Sequence, residues 1–107
     1  IASGIKTLLE VVQSIGPKNS GVVPQTLVIA PPPLARLSVL AEMFTGGTEK
    51  SLQFAPHYET FARLFDCDFL NAGDLVTTSD LDGVHFDADQ HQVLGQAVAA
   101  TVLKILE

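Results

Sequence analysis

Basic residues are scarce in this sequence. Six Lys and Arg stand against twelve Asp and Glu, for a net charge of −6. A phosphate-binding surface is built from Lys and Arg, so the shortage argues against a nucleic-acid partner and equally against an anionic membrane surface. Cysteine is scarcer still. Cys67 stands alone, so no internal disulfide can form. In the apolar run Cys67-Asp68-Phe69-Leu70 it reads as a small buried core residue rather than a nucleophile. No apolar run is long enough to span a bilayer. No signal peptide is visible, which favours a cytoplasmic location. The chain nevertheless begins at Ile1 without a methionine, a start that reads as internal and leaves secretion open.

Charge of either sign is sparse as well. Charged residues make up 17% of the chain and apolar ones 47%, where a free-standing soluble domain carries about 25% charged residues. Either the core is unusually rich, or some apolar side chains face protein outside this sequence. At 107 residues the chain holds one domain at most.

The apolar pattern sets the elements. Ile5, Leu8, Leu9, Val12 and Ile15 recur at helical spacing, predicting a helix over 1–15 that Gly16-Pro17 ends, with a linker over 16–25. Residues 26–30 are a short apolar run rich in β-branched side chains, which suits a strand buried on both faces of a parallel sheet. Pro31-Pro32-Pro33 stops it, because proline cannot donate to a ladder; one of these peptide bonds is a candidate for the cis form. A short helix over 35–44 precedes Gly46-Gly47. Thr48 is placed to cap a second helix running to about Phe65, with Pro56 kinking it or delaying its start. In that helix His57 is expected to be exposed. Met43 and Phe44 suit a substrate wall, an oligomer contact or plain core. A second strand is expected over 67–71, then a turn at Asn71-Ala72-Gly73-Asp74 and a polar loop over 77–83. The last helix begins near Asp87, with Gln90 completing a capping box. Its buried stripe is predicted as Leu94, Ala97, Val98, Thr101, Val102 and Ile105.

Strands alternating with helices imply an α/β fold with a parallel sheet. Two strands do not make an independently stable sheet, so the chain reads as part of a larger unit.

The chemistry concentrates between Asp80 and His91. In one reading Asp82 and His85 form a carboxylate–imidazole pair. A hydroxyl nucleophile needs a base at neutral pH, and a carboxylate on the second ring nitrogen fixes that base's tautomer. In another, His85, Asp87, Asp89 and His91 alternate as on one face of a strand and suit zinc; the capping box at Asp87 opposes this. In the third, Asp87 caps the helix, Asp89 favours its positive end and the histidines are incidental.

The block Asp82-Gly83-Val84-His85-Phe86, followed by a helix holding Leu94-Gly95, resembles the last block of the SGNH (GDSL-type) hydrolases, which supplies Asp-x-x-His. The strand Leu27-Val28-Ile29-Ala30 running into Pro31-Pro32-Pro33-Leu34, with Asn71-Ala72-Gly73, is similar to the arylesterase and acyl-transferring branch. The resemblance covers essentially the whole chain. It implies the C-terminal part of a three-layer, flavodoxin-like α/β domain, contributing about two strands and three to four helices. It implies Asp82 as the orienting carboxylate and His85 as the general base. Pro32, Pro33, Leu34 and Val84 would wall the acyl pocket. It calls for neither a metal nor a cofactor.

The family's other blocks are missing from this sequence: no Gly-Asp-Ser, no second-block glycine and no Gly-x-Asn-Asp. Ser3, Ser14, Ser20, Ser38, Ser51 and Ser79 include none at a strand-to-helix elbow, and Ser79 suits a turn. The expected partners are therefore the N-terminal half of the same hydrolase and a small ester, with a homo-oligomer also open, and the chain alone is expected to be inactive. The competing reading is a non-catalytic α/β interaction module with an idle Asp-His loop.

Overall fold

Two parallel strands organise the chain. β1 (Leu27–Ala30) and β2 (Asp68–Asn71) pair in register, Val28 beside Phe69 and Ala30 beside Asn71. The computed structural model describes residues 2–34 and 46–107, so the expected helix over 35–44, with Met43 and Phe44, lies outside the described residues. Ahead of β1 runs α1 (Ala2–Ser20). Between the strands lie α2 (Gly47–Ser51) and α3 (Phe54–Leu64), and after them comes α4 (Ala88–Ile105). The described part is thus an α/β arrangement around a parallel pair.

α1 and α3 cover one face of the sheet. Leu9, Val28, Ala30, Tyr58 and Ala62 form the buried cluster, with Ile5, Phe61, Phe65 and Phe69 packed against it. Ala30 and Ala62 are fully buried, and side chains this small let α3 lie close on β1. The alternation of a strand sends Ile29 to the opposite face, where it is 36% exposed. The expectation that β1 is covered on both faces is therefore corrected: one face is packed and the other is open.

Three further boundaries differ from expectation. α1 continues through Gly16-Pro17 to Ser20. Pro17 removes one backbone donor, but Gly21 N–H bonds to the Pro17 carbonyl at 3.0 Å and the Ser20 hydroxyl to the Gly16 carbonyl at 3.0 Å. The helix ends instead at Gly21, whose φ of 80° is a left-handed stop. Gly16 stays because a Cβ there would meet Pro24 at 2.8 Å as the chain turns back.

The single helix expected from Thr48 to Phe65 is split into α2 and α3. Pro56 falls in the first turn of α3, where its missing N–H breaks no helical bond. Gly46, in the left-handed region at φ 74°, rather than Thr48, caps α2.

In α4 the predicted stripe is the most covered face, but no residue of the helix is fully buried. Val102 is exposed, and Leu103 and Leu106 lie open to solvent. The helix rests mainly on β2, and two strands present too little surface to bury an 18-residue helix. The Pro31, Pro32 and Pro33 peptide bonds are all trans. Cys67 is half-buried rather than buried. Burial, then the Asp66 and Asp68 carboxylates, push its thiol up from its ordinary value, so little thiolate forms near neutral pH.

Candidate active site

Parallel strands end at the same edge of a sheet, and that edge is where open α/β sheets place their ligands. Here β1 leads into Pro31–Leu34 and β2 into a 3-10 turn over Ala72–Asp74. The two loops pack together. A Cβ on Gly73 would meet Pro33 Cδ at 3.1 Å and Pro32 Cα at 3.4 Å. Asn71 shapes the turn by accepting the Gly73 N–H at 3.0 Å. The Leu34 N–H donates to the Ser51 hydroxyl at 2.8 Å, and Ser51 in turn donates to the Thr48 carbonyl at 2.7 Å. Pro31, Pro33, Ser51, Leu52 and Gly73 line a cavity of about 200 Å³ at this edge. A larger one, about 330 Å³, lies at the opposite end beside Thr26 and Asp68, away from the strand ends where the titratable pair sits.

α4 returns antiparallel to the strands. The Gln25 side chain, just ahead of β1, reaches the carbonyl of Ile105 at 3.5 Å, which places the C-terminus of α4 at the strand starts. Its N-terminus, and the loop before it, therefore sit at the strand ends.

That loop brings Asp82 and His85 together. Gly83 takes φ 76°, a left-handed turn that glycine enters without steric cost. The turn folds the chain back so that one Asp82 oxygen, Oδ1, accepts the Val84 N–H at 2.8 Å and the His85 N–H at 2.9 Å. The other, Oδ2, lies 2.6 Å from His85 Nδ1. The two backbone N–H groups first, and the imidazole next, hold the Asp82 carboxyl down from the ordinary 3.8 to about 2. It is thus ionised at neutral pH and can only accept, so Nδ1 carries the shared proton, and in the neutral imidazole Nε2 is then the nitrogen with the free lone pair. The carboxylate is largely covered, at 20% exposure, while the imidazole is 75% exposed. Val84 is half-buried in the same turn. Pro32, Pro33 and Leu34 share the strand-end edge with this turn, and the contacts that place them are with Gly73 and Ser51.

The alternating metal set loses its geometric premise. Residues 88–91 are helical, so His85, Asp87, Asp89 and His91 do not share the face of a strand. The His91 ring instead meets Phe86 edge to face, at 5.3 Å between centroids. The capping box is also corrected. Asp87 occupies the N-cap position but its side chain caps nothing. The Gln90 side chain accepts the Thr77 N–H at 2.8 Å, stapling the chain after β2 to the start of α4. A Gln three residues after an Asp carries no sign of which partner it takes, so this role was hidden from the sequence.

Among the described residues, no serine hydroxyl bonds to the His85 ring. Ser3 is exposed in the first turn of α1, and Ser14 and Ser20 donate to carbonyls of their own helix. Ser51 and Ser79 are buried. Ser38 lies outside the described residues.

No protein-family model and no curated protein sequence matches the chain. Solved structures do. The chain is similar to Est24, a carbohydrate acetylesterase from Sinorhizobium meliloti, at 34% identity and a TM-score of 0.89, covering 98% of this chain and 51% of that one. It is similar to the M. smegmatis aryl esterase at 31% identity and a TM-score of 0.86, covering 97% and 50%. A third likeness, to a putative arylesterase from Agrobacterium tumefaciens, has 32% identity and a TM-score of 0.81, covering 97% and 50%. The chain belongs to the SGNH-type hydrolases. Within that family it matches about half the length of the esterases it resembles, and its parallel strands and helices are part of the family's flavodoxin-like domain.

Proposed function

We propose that this chain is the C-terminal part of a serine esterase, and that it supplies the general base, His85, and its orienting carboxylate, Asp82. The observation that carries the reading is the 2.6 Å contact between Asp82 Oδ2 and His85 Nδ1, made by an ionised carboxylate and leaving Nε2 at the surface. The nucleophilic serine and the oxyanion donors come from an N-terminal segment. That segment also covers the open apolar surfaces of α1 and α4, where Leu8, Leu103 and Leu106 are exposed.

The chemistry follows from the tautomer. Nε2 accepts the proton of the serine hydroxyl as its oxygen attacks the ester carbonyl, and Asp82 stabilises the imidazolium formed. The imidazolium then protonates the leaving alcohol as the ester bond breaks, giving an acyl-enzyme. Water, deprotonated by the same nitrogen, releases the acid and restores the serine. Pro32, Pro33, Leu34 and Val84 wall the acyl side.

The test uses the natural protein that contains this sequence, assayed with p-nitrophenyl acetate. His85→Ala lowers kcat by about 10³-fold or more with KM little changed. Retention of kcat within tenfold would instead leave the Asp-His loop idle, as in an interaction module.

A further inference from the structure

One residue closes the loop that presents the base, and it is a serine already unsuited to nucleophilic attack. Ser79 is 4% exposed. Its backbone N–H donates to the carbonyl of His85 at 2.6 Å, and its own carbonyl accepts the Gly83 N–H at 2.7 Å. Its side-chain oxygen accepts the Leu81 N–H at 3.1 Å. Three hydrogen bonds from a single residue thus reach three successive alternate positions, 81, 83 and 85, on either side of Asp82.

The consequence is mechanical. Asp82 organises the second half of the loop by taking the N–H groups of Val84 and His85. Ahead of Asp82, Asp80 and Leu81 are exposed. There the Ser79 hydroxyl bends the chain by gripping the N–H two residues on, a local turn that serine forms and alanine does not. The Ser79–His85 backbone bond ties the two ends of the loop together directly beneath the base.

We propose that Ser79 is a positioning residue for the Asp82–His85 pair: its hydroxyl sets the entry turn of the loop, and through it the direction in which His85 Nε2 faces the substrate. The proposal rests on the reading of His85 as the base. Ser79 acts through the loop backbone and touches neither the substrate nor the imidazole ring.

The chemistry makes the role sensitive. A base displaced by a fraction of a hydrogen-bond length loses proton-transfer efficiency steeply, since misplacements near 1 Å cost up to about 100-fold. Substrate binding is affected less, because the acyl walls at Pro32 and Pro33 are held by Gly73, on a different loop, and only Val84 moves with the base.

The experiment is steady-state kinetics of the natural protein on p-nitrophenyl acetate for Ser79→Ala, Ser79→Thr and Ser79→Cys, with His85→Ala alongside. The downfield proton resonance of His85 Nδ1–H is recorded for each. Ser79→Ala is expected to lower kcat about tenfold, to leave KM within twofold, and to broaden the Nδ1–H signal. Ser79→Thr keeps the acceptor oxygen and restores most of kcat and the signal. Ser79→Cys, of similar size but with a weak acceptor, falls between, and reads the effect even if the alanine variant does not fold. Two results overturn the inference alone: His85→Ala inactive while Ser79→Ala and Ser79→Cys keep kcat within twofold, or kcat falling only in proportion to the folded fraction with an unchanged Nδ1–H signal. An active His85→Ala variant overturns the underlying base assignment instead.

Discussion

The sheet with α1 and α3, and the loop from Thr77 to Asp87, are held together in opposite ways. The first is held by apolar contact and is unfinished: Leu9, Val28, Tyr58 and Ala62 are buried, yet Ile29 and Leu8 face solvent. The second is held largely by hydrogen bonds between residues close in sequence. Asp82, Ser79 and Gln90 each satisfy backbone donors within the stretch from Thr77 to Gln90. Apolar burial is non-directional and needs a partner surface, which can lie on another segment. A turn fixed by short-range hydrogen bonds needs only its own sequence. The Asp82–His85 geometry can therefore be formed in a chain whose sheet is open on one face, and the two regions should respond to different perturbations.

The largest expected effect breaks function and spares the body. Asp82→Asn in the natural protein removes the charge that fixes the tautomer, and kcat falls about 10⁴-fold. Thermal unfolding followed by circular dichroism stays nearly unchanged, because the buried cluster is untouched. A large drop in Tm would place Asp82 in the fold rather than in the chemistry.

The converse substitution is Leu9→Ala, in the buried cluster beneath α1 and α3. It should destabilise by about 2–3 kcal/mol, the low end for such truncations because one side of this body is open. Chemical denaturation reads this, while kcat per folded molecule stays at the wild-type level.

The loop should also fail separately in acid. The Asp82 carboxyl is lowered to about 2, so its contribution is present above the ordinary value near 4 and is lost as pH falls through about 2. Between these limits the amide protons of Val84 and His85 should lose protection against exchange before those of Val28 and Ala30. Simultaneous loss would mean that loop and body are one cooperative unit. The smallest effect is at Gln90. Gln90→Leu hands the exposed Thr77 N–H to water and costs at most about 1 kcal/mol, whereas Gln90→Glu keeps the acceptor and should be near neutral in the same denaturation assay.

The same contrast decides how much of each region is legible in its residues alone. β1 and β2 fall within one residue of their expected spans, because a β-branched run closed by prolines, and an apolar run closed by Asn71-Ala72-Gly73, each carry their own stop. The Asp82-Gly83-Val84-His85 turn is legible for a similar reason: glycine at the one position that needs φ near 76° lets a carboxylate meet the side chain three residues on. The buried stripe of α4 is legible only as a direction, since Leu94 and Val98 stay half-buried on a helix that rests mainly on β2. The split between α2 and α3, the run of α1 through Pro17, and the Gln90–Thr77 staple depend on tertiary partners that no local pattern names.

On the proposed function, this chain holds a base and its carboxylate but not the nucleophile. The decisive measurement is hydrolysis of p-nitrophenyl acetate by the isolated chain beside its own His85→Ala variant. Identical background rates are expected for the two. Turnover by the chain alone that disappears when Ser51, Ser79 or another of its own serines is changed to alanine would contradict it.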